Sequence, residues 1–343
     1  MSVKNLFKML TNVPFIQKAE LIIERSTSFV KRFIAMLIIS SVASGICVAQ
    51  SFSFVALGDM PYGNQNQTYL SYRSLIETIN RSQPKFSIHV GDFKSGSSLC
   101  SDREFAEQLK HFAMFDAGVV YTPGDNDWTD CYRLNNGGHD PLERLRKIRE
   151  DFFKPEVSLG KSPLRLFSQP QTHADFDEYV ENQRWMIDEV LFVTVHIVGS
   201  NNNFETRDAE AIKEFFERDA ANIAWIRSAF DLAQQNKYKA IVFAFQADVL
   251  ISRSMWEDFP SWSGFRNSIG QTLLPLAKDW AKPVLLIHGD GHKYHFDQPF
   301  KLKGAVIPNV TRLEVPGASD VRAVRVTVDL DKEKVFSTEL LKP

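Results

Sequence analysis

Net charge is almost absent from this chain. Its 343 residues carry 40 lysines and arginines against 42 aspartates and glutamates, a formal charge of -2 at neutral pH, with no long basic block. Nothing electrostatic therefore points to nucleic acid or to an anionic membrane surface. The Gly-x-Ser-x-Gly elbow, the GxxxxGK[ST] phosphate loop and the Gly-x-Gly-x-x-Gly dinucleotide turn are missing too, and SGFRNSIGQ (263–271) is too irregular to serve as any of them. Beyond residue 50 there is no linker, low-complexity tract or repeat, which favours one large domain (50–343) over two. With 44% apolar and 24% charged residues, the chain is neither fibrous nor disordered and can bury a sizeable core.

Cysteine is scarce, three in all. The first of them belongs to an N-terminal stretch unlike the rest: Lys31-Arg32 precedes FIAMLIISSVASGICVAQ, the length of a signal-peptide apolar region and marginal for a bilayer span. Cys47 and Ala49 stand at the spacing a signal peptidase prefers, whereas Ile46 before Cys47 fits a lipoprotein cleavage site poorly. Residues 1–49 read as an export signal with an overlong leader. The alternatives are an uncleaved membrane anchor and a mistaken start, with translation beginning nearer Met36. Export to the periplasm or medium leaves Cys100 and Cys131 as an even pair in an oxidising compartment, so a disulfide is expected, with two buried free thiols as the other reading.

After residue 50 short β-branched or aromatic runs alternate with amphipathic stretches. FSFVAL (52–57), FSIHV (86–90), GVVYT (118–122), VLFVTVHIVG (190–199), AIVFAF (240–245) and PVLLIH (283–288) read as strands. Segments 68–81, 102–115, 142–153, 220–236 and 275–281 carry helical spacing, and AVRVTVDLDKEKVFSTEL predicts a C-terminal hairpin around DKEK. The rhythm is that of βαβ units, an α/β fold.

Four apolar runs end in Gly-Asp, at Asp59, Asp92, Asp125 and Asp290. One such pair is an ordinary turn. Four of them, on strands whose carboxyl ends converge on one edge, gather charge that is tolerable only if carboxyls are protonated or a cation neutralises them. A metal site accounts for the pattern.

Asp59, Gly-Asp at 92, PGDND at 123–127, Gln246 on its strand and HGDGH at 288–292 together resemble the calcineurin-like metallophosphoesterases, which include the purple acid phosphatases. The resemblance covers residues 52–300 and implies a sandwich of two mixed β-sheets flanked by helices. It implies hydrolysis of a phosphate mono- or diester by metal-activated water. Asp59 and Asp92 stand at ligand positions, Asp125 where the family has asparagine, and His292 at the second histidine of the last motif. Pro61, Asn126, Gln246 and Asp290 replace family histidines. PGDND and HGDGH mark a subgroup.

Carboxylate and amide in place of imidazole make a harder site, favouring one or two Mn²⁺, Mg²⁺ or Ca²⁺ ions, with Fe or Zn possible. Asp59, Asp92 and His292 form one expected ligand set; Asp92, Asp125, Gln246 and Asp290 form the other. Catalytic candidates are Asn126, with Asp127 beside it, and His288, with His295 as an alternative proton donor. Lys94, Asn201 and Asn202 are candidate contacts to a small-molecule phosphate ester. His89 and His196 read as core residues, His111 as a surface one. A scaffold that has lost turnover and only binds a phosphate ligand or metal is the competing reading; oligomeric state is not legible.

Overall fold

Alternation along each strand decides the layers. In β1 (Phe52–Leu57), Phe54 and Ala56 face one core while Val55 and Leu57 face another. The computed structural model describes residues 51–63, 65–153 and 156–343, so the expected leader and its cleavage site lie outside the described residues.

β1, β2 (Phe86–His89) and β3 (Gly118–Tyr121) run parallel. A hairpin of β13 (Ala323–Val328) and β14 (Phe336–Leu341) adds antiparallel to β1, giving the order β14-β13-β1-β2-β3. In the second sheet β6 (Val190–Thr194), β7 (Ala240–Ala244), β8 (Val284–His288) and β12 (Val310–Glu314) are parallel. Antiparallel β5 (Gln183–Ile187) with β4 (Phe167–Ser168), and β9 (His295–Asp297), close its two edges, while β10 (Lys301–Leu302) and β11 (Ala305–Val306) pair antiparallel as a separate ribbon.

The inner faces of the two sheets meet through Phe54, Phe86, Ile88, Phe192, Val242, Leu285, Ile287 and Val326. Phe86 lies at the centre of that layer, stacked on Phe54 at 5.1 Å and edge-on to Phe192 at 5.0 Å. Outside the first sheet pack α1 (Gln65–Arg81), α2 (Asp102–Phe112) and α3 (Pro141–Phe152), through Tyr72, Leu75, Phe105 and Ile148. Outside the second pack α4 (Ala209–Gln235) and α5 (Leu274–Trp280), through Trp225, Ile226, Ala229 and Leu274. The result is the expected sandwich of two mixed sheets flanked by helices, with its C-terminal hairpin.

Several expectations need correction. Helix α4 starts at Ala209, eleven residues earlier than the spacing indicated, because Asp208 caps the amides of Glu210 and Ala211. The ladder of β6 ends at Thr194, after which the His196 amide donates to the side chain of Asn182. RNSIGQTL (266–273), to which the spacing assigned no element, is a π-helical segment leading into α5. His111 is buried: Nδ1 lies 3.0 Å from Gln108 Oε1, and the ring sits edge-on to Tyr69 and Tyr72. His89 and His196 are buried as expected. Among the described residues no helix is long and apolar enough to cross a membrane.

Cys100 and Cys131 are bonded, Cα atoms 5.7 Å apart, joining the loop after β2 to the loop after β3 across a separation of 31 residues. Closing a loop of that length removes denatured-state entropy worth about 3–4 kcal/mol. The double variant Cys100→Ser, Cys131→Ser is therefore expected to lose about that much unfolding free energy in a denaturant titration; an unchanged midpoint and slope would refute the assignment of stabilisation to this bond.

Candidate metal centre

Parallel strands deliver their carboxyl ends to one rim, and the loops leaving those ends carry the polar residues. Asp59 follows β1, Asp92 follows β2 and Asp125 follows β3; Gln246 follows β7, and Asp290 and His292 follow β8. The centre is therefore assembled by both sheets. Asp59 (φ 52), Asp92 (φ 56), Asp290 (φ 70) and His292 (φ 61) all adopt the left-handed conformation, which turns each loop sharply at its strand end.

The glycines of these motifs make room for one another's carboxylates. A Cβ on Gly124 would collide with Asp92 Oδ1, and one on Gly289 with Asp59 Oδ2. A Cβ on Gly199 would stand 2.8 Å from Asp125 Cγ. The Gly-Asp pattern thus reflects close approach between motifs as well as local turns.

Each carboxylate is held by donors from elsewhere. Asp59 accepts the Asp290 amide on both oxygens at 3.1 Å, and its Oδ1 lies 3.5 Å from His292 Nε2. Asp92 Oδ2 accepts from Asn126 Nδ2 at 2.7 Å, Tyr62 OH at 2.8 Å and Gln246 Nε2 at 3.2 Å, while Oδ1 takes the Asn126 amide at 3.1 Å. Asp125 Oδ2 accepts from Ser200 Oγ at 2.8 Å, and its Oδ1 is buried with no hydrogen-bond partner. Asp290 Oδ2 takes the Asp248 amide at 3.0 Å. As the side chains stand, no three His, Cys, Asp or Glu among the described residues are gathered closely enough to hold an ion. Neither expected ligand set is formed at coordinating distance.

Electrostatics tell how costly the grouping is. Burial, then the charges of Asp125, Asp127, Asp59 and Asp290, push the Asp92 carboxyl well above the usual carboxylate range. Burial raises Asp59 despite the hydrogen bond and charge of His292. Asp290 is pushed up to about 8 by burial and the Asp125 charge. The hydrogen bond to Asp59 raises His292. A buried oxygen without a partner, beside carboxyls that resist ionisation, is what a cation would relieve. The donor chemistry, mainly oxygen with one imidazole, fits a hard divalent ion.

Other predicted residues take different places. Gln246 is a poor ligand in this arrangement: its Oε1 accepts the Gly199 amide at 2.5 Å and it presents an N–H to Asp92. Asp127 faces away from solvent and accepts the amides of Asp92, Phe93 and Gly124 and the Tyr121 hydroxyl at 2.8–3.0 Å, so it binds the loops together instead of reacting. His288 is buried, stacked on Phe245, with Nδ1 2.9 Å from Gly289 O. His295 pairs with Glu314. Lys94 is buried and donates to Ser95 O and Asn126 O. Asn201 accepts the Gly264 amide and Asn202 is buried against Gly264 O and Arg218, so both secure a turn. Asn126 alone of the catalytic candidates touches a carboxylate of the centre.

Two residues were missed. Tyr62 donates to Asp92, accepts from Asn126 at 2.9 Å and meets the His292 ring edge-on at 5.5 Å. Ser200 reaches both Asp125 and Asp130. Tyr62 stands three residues after Asp59, a spacing that could have drawn attention; nothing local marks Ser200.

No family model and no curated protein matches the chain. Among solved structures it is similar to the 5'-nucleotidase of Candida albicans, at 15% identity, with 84% of this chain and 50% of that one covered and a TM-score of 0.44. It is similar to a dimetal phosphatase from Danio rerio at 10% identity, covering 85% and 98%, with a TM-score of 0.46. A purple acid phosphatase from yellow lupin (Lupinus luteus) seeds gives 12% identity, 85% and 54% coverage, and a TM-score of 0.47. The chain spans about half the length of the nucleotidase and of the lupin enzyme.

Because the Asp290 carboxyl lies near 8 when folded, against an ordinary 3.8, the folded state keeps a proton there that the unfolded chain releases. Stability then falls as pH rises from about 4 to about 8. Chelator-treated protein should melt at a lower temperature at pH 8 than at pH 5, and Asp290→Asn should shrink that difference. Equal melting temperatures for the chelator-treated wild type at both values would contradict the charge account.

Proposed function

We propose that the chain is an exported, metal-dependent phosphoesterase acting on a small-molecule phosphate mono- or diester. The observation that carries this reading is the convergence of Asp59, Asp92, Asp125 and Asp290 from two sheets on one rim, with Asp125 Oδ1 buried and unpartnered. The sequence motifs that resemble the calcineurin-like metallophosphoesterases support it. Export is supported by the basic-then-apolar leader and by the Cys100–Cys131 bond, which suits an oxidising compartment.

Asp59, Asp92, Asp125, Asp290 and His292 would hold the ion or ions, with Mn²⁺, Mg²⁺ or Ca²⁺ preferred over Fe or Zn by the oxygen-rich donor set. A divalent cation bound there supplies Lewis-acid polarisation of the phosphoryl oxygen and lowers the pKa of water. Asn126 and Tyr62 orient Asp92 through their hydrogen bonds to Oδ2. The Asn126 amide cannot titrate and His288 is buried, so neither of these two candidates supplies a leaving group with a proton. Activity is accordingly greatest on phenolic or otherwise acidic leaving groups.

The same absence of a titratable group at Asn126 favours a second reading, a scaffold that binds a phosphate ligand or metal without turnover. A panel of p-nitrophenyl mono- and diesters with Mn²⁺, Mg²⁺, Ca²⁺, Fe²⁺ and Zn²⁺ separates the two. The expected result is ion-dependent hydrolysis that falls by roughly 100-fold or more in Asp92→Asn, since loss even of supporting groups around a metal costs 10–100-fold. No ion-dependent hydrolysis of any ester would transfer the case to the binding scaffold.

A further inference from the structure

After Val198 the backbone does something L-residues rarely do. Ser200 (φ 47), Asn201 (φ 54), Asn202 (φ 59) and Asn203 (φ 58) follow one another in the left-handed region, a turn of left-handed helix. Asparagine visits that region as a single residue; a run of four, opened by a serine, is sterically unfavourable and persists only when its surroundings impose it. Here they do. The Asn202 side chain accepts from the Val198 amide at 3.2 Å and from buried Arg218 at 2.5 Å, and donates to Gly264 O at 2.9 Å. Asn201 Oδ1 takes the Gly264 amide at 2.8 Å, and Asn203 donates to Glu214 at 2.8 Å.

What this turn delivers is contact with Asp125. It lays the Cβ-less backbone of Gly199 against the carboxylate and sets the Ser200 hydroxyl 2.8 Å from Asp125 Oδ2 and 2.9 Å from Asp130 Oδ1. Arg133 pairs with the other oxygen of Asp130 at 2.7 Å. One hydroxyl hydrogen serves both carboxylates, and among the described residues Asp125 has no ion pair. Oδ2 is thereby engaged, and Oδ1 is left as the buried oxygen without a partner.

We infer that Ser200 is a positioning residue that presents Asp125 to a cation through Oδ1 alone and so biases the site toward small, strictly octahedral ions over Ca²⁺. This rests on the cation-binding reading above. Ca²⁺ accepts carboxylates through both oxygens in flexible geometry, whereas Mg²⁺ and ions of its kind demand near-ideal octahedra. Freeing Oδ2 loosens the discrimination.

The test is equilibrium binding of Mn²⁺, Mg²⁺ and Ca²⁺, by calorimetry on full-length folded protein, to wild type, Ser200→Ala and Ser200→Gly. Glycine removes the hydroxyl while relieving the left-handed strain, so it stays folded even if the alanine variant does not; melting temperatures check this. The expected result is about a tenfold loss of Mn²⁺ and Mg²⁺ affinity in both variants, the size of a lost hydrogen bond to a charged group, with a smaller loss for Ca²⁺. Wild-type selectivity retained in Ser200→Gly overturns the role of Ser200 and leaves the metal site standing. Failure of wild type to bind any of the three ions removes the metal reading itself.

Discussion

Carboxylates taken out of water within one cleft repel each other, and the surrounding chain is arranged to meet that repulsion. Asp92 has four donors, two of them amide side chains and one a phenol. Asp59 has the Asp290 amide astride both oxygens, and Asp125 has a serine hydroxyl. None of these partners carries a full positive charge, and among the described residues the cation nearest to a paired role is His292, at 3.5 Å from Asp59. The protein has therefore softened the charge with dipoles instead of cancelling it with lysine or arginine. Lys94 lies close by in sequence but spends its hydrogen bonds on backbone carbonyls. A centre solvated by dipoles stays available to a cation; one already neutralised by an ion pair does not.

Amides at positions where the resembled motifs carry imidazoles change how the centre is held. An imidazole would compete for a metal directly; Asn126 and Gln246 instead direct N–H groups at the Asp92 carboxylate. Gln246 also grips the Gly199 amide, so one side chain links the second sheet, the Asp92 loop and the left-handed turn. Asn126 and Gln246 act here as supports.

What could be read in the sequence was what local chemistry fixes. The β-branched runs, the Gly-Asp breaks after them and the DKEK hairpin follow from propensity and turn geometry, and the layers come out as those patterns imply. Residues whose meaning depends on a partner far along the chain could not be placed. Asn201 and Asn202 sit in a loop at the rim of the candidate site, which suggested ligand contacts, but their partners are Gly264, 63 residues from Asn201, and Arg218, 16 residues from Asn202. Asp127 looked like part of the reactive cluster because it is adjacent to Asn126; its side chain points the other way and fastens amides. Strands β5 and β12 were overlooked for a related reason. Flanking strands, more than intrinsic preference, make them strands.

The seam on which the centre lies has a consequence for the order in which the molecule comes into being. Asp59 and the Asp290 amide that bonds it are separated by 231 residues. Contacts of such range form after local ones, because the intervening chain must first be ordered. A nascent chain that has emerged only as far as Asp125 already contains Asp59, Asp92 and Asp125, yet lacks the whole of the opposing wall. A cation bound here would require both sheets in place, because the residues that would face it from β1 and from β8 meet only in the completed sandwich.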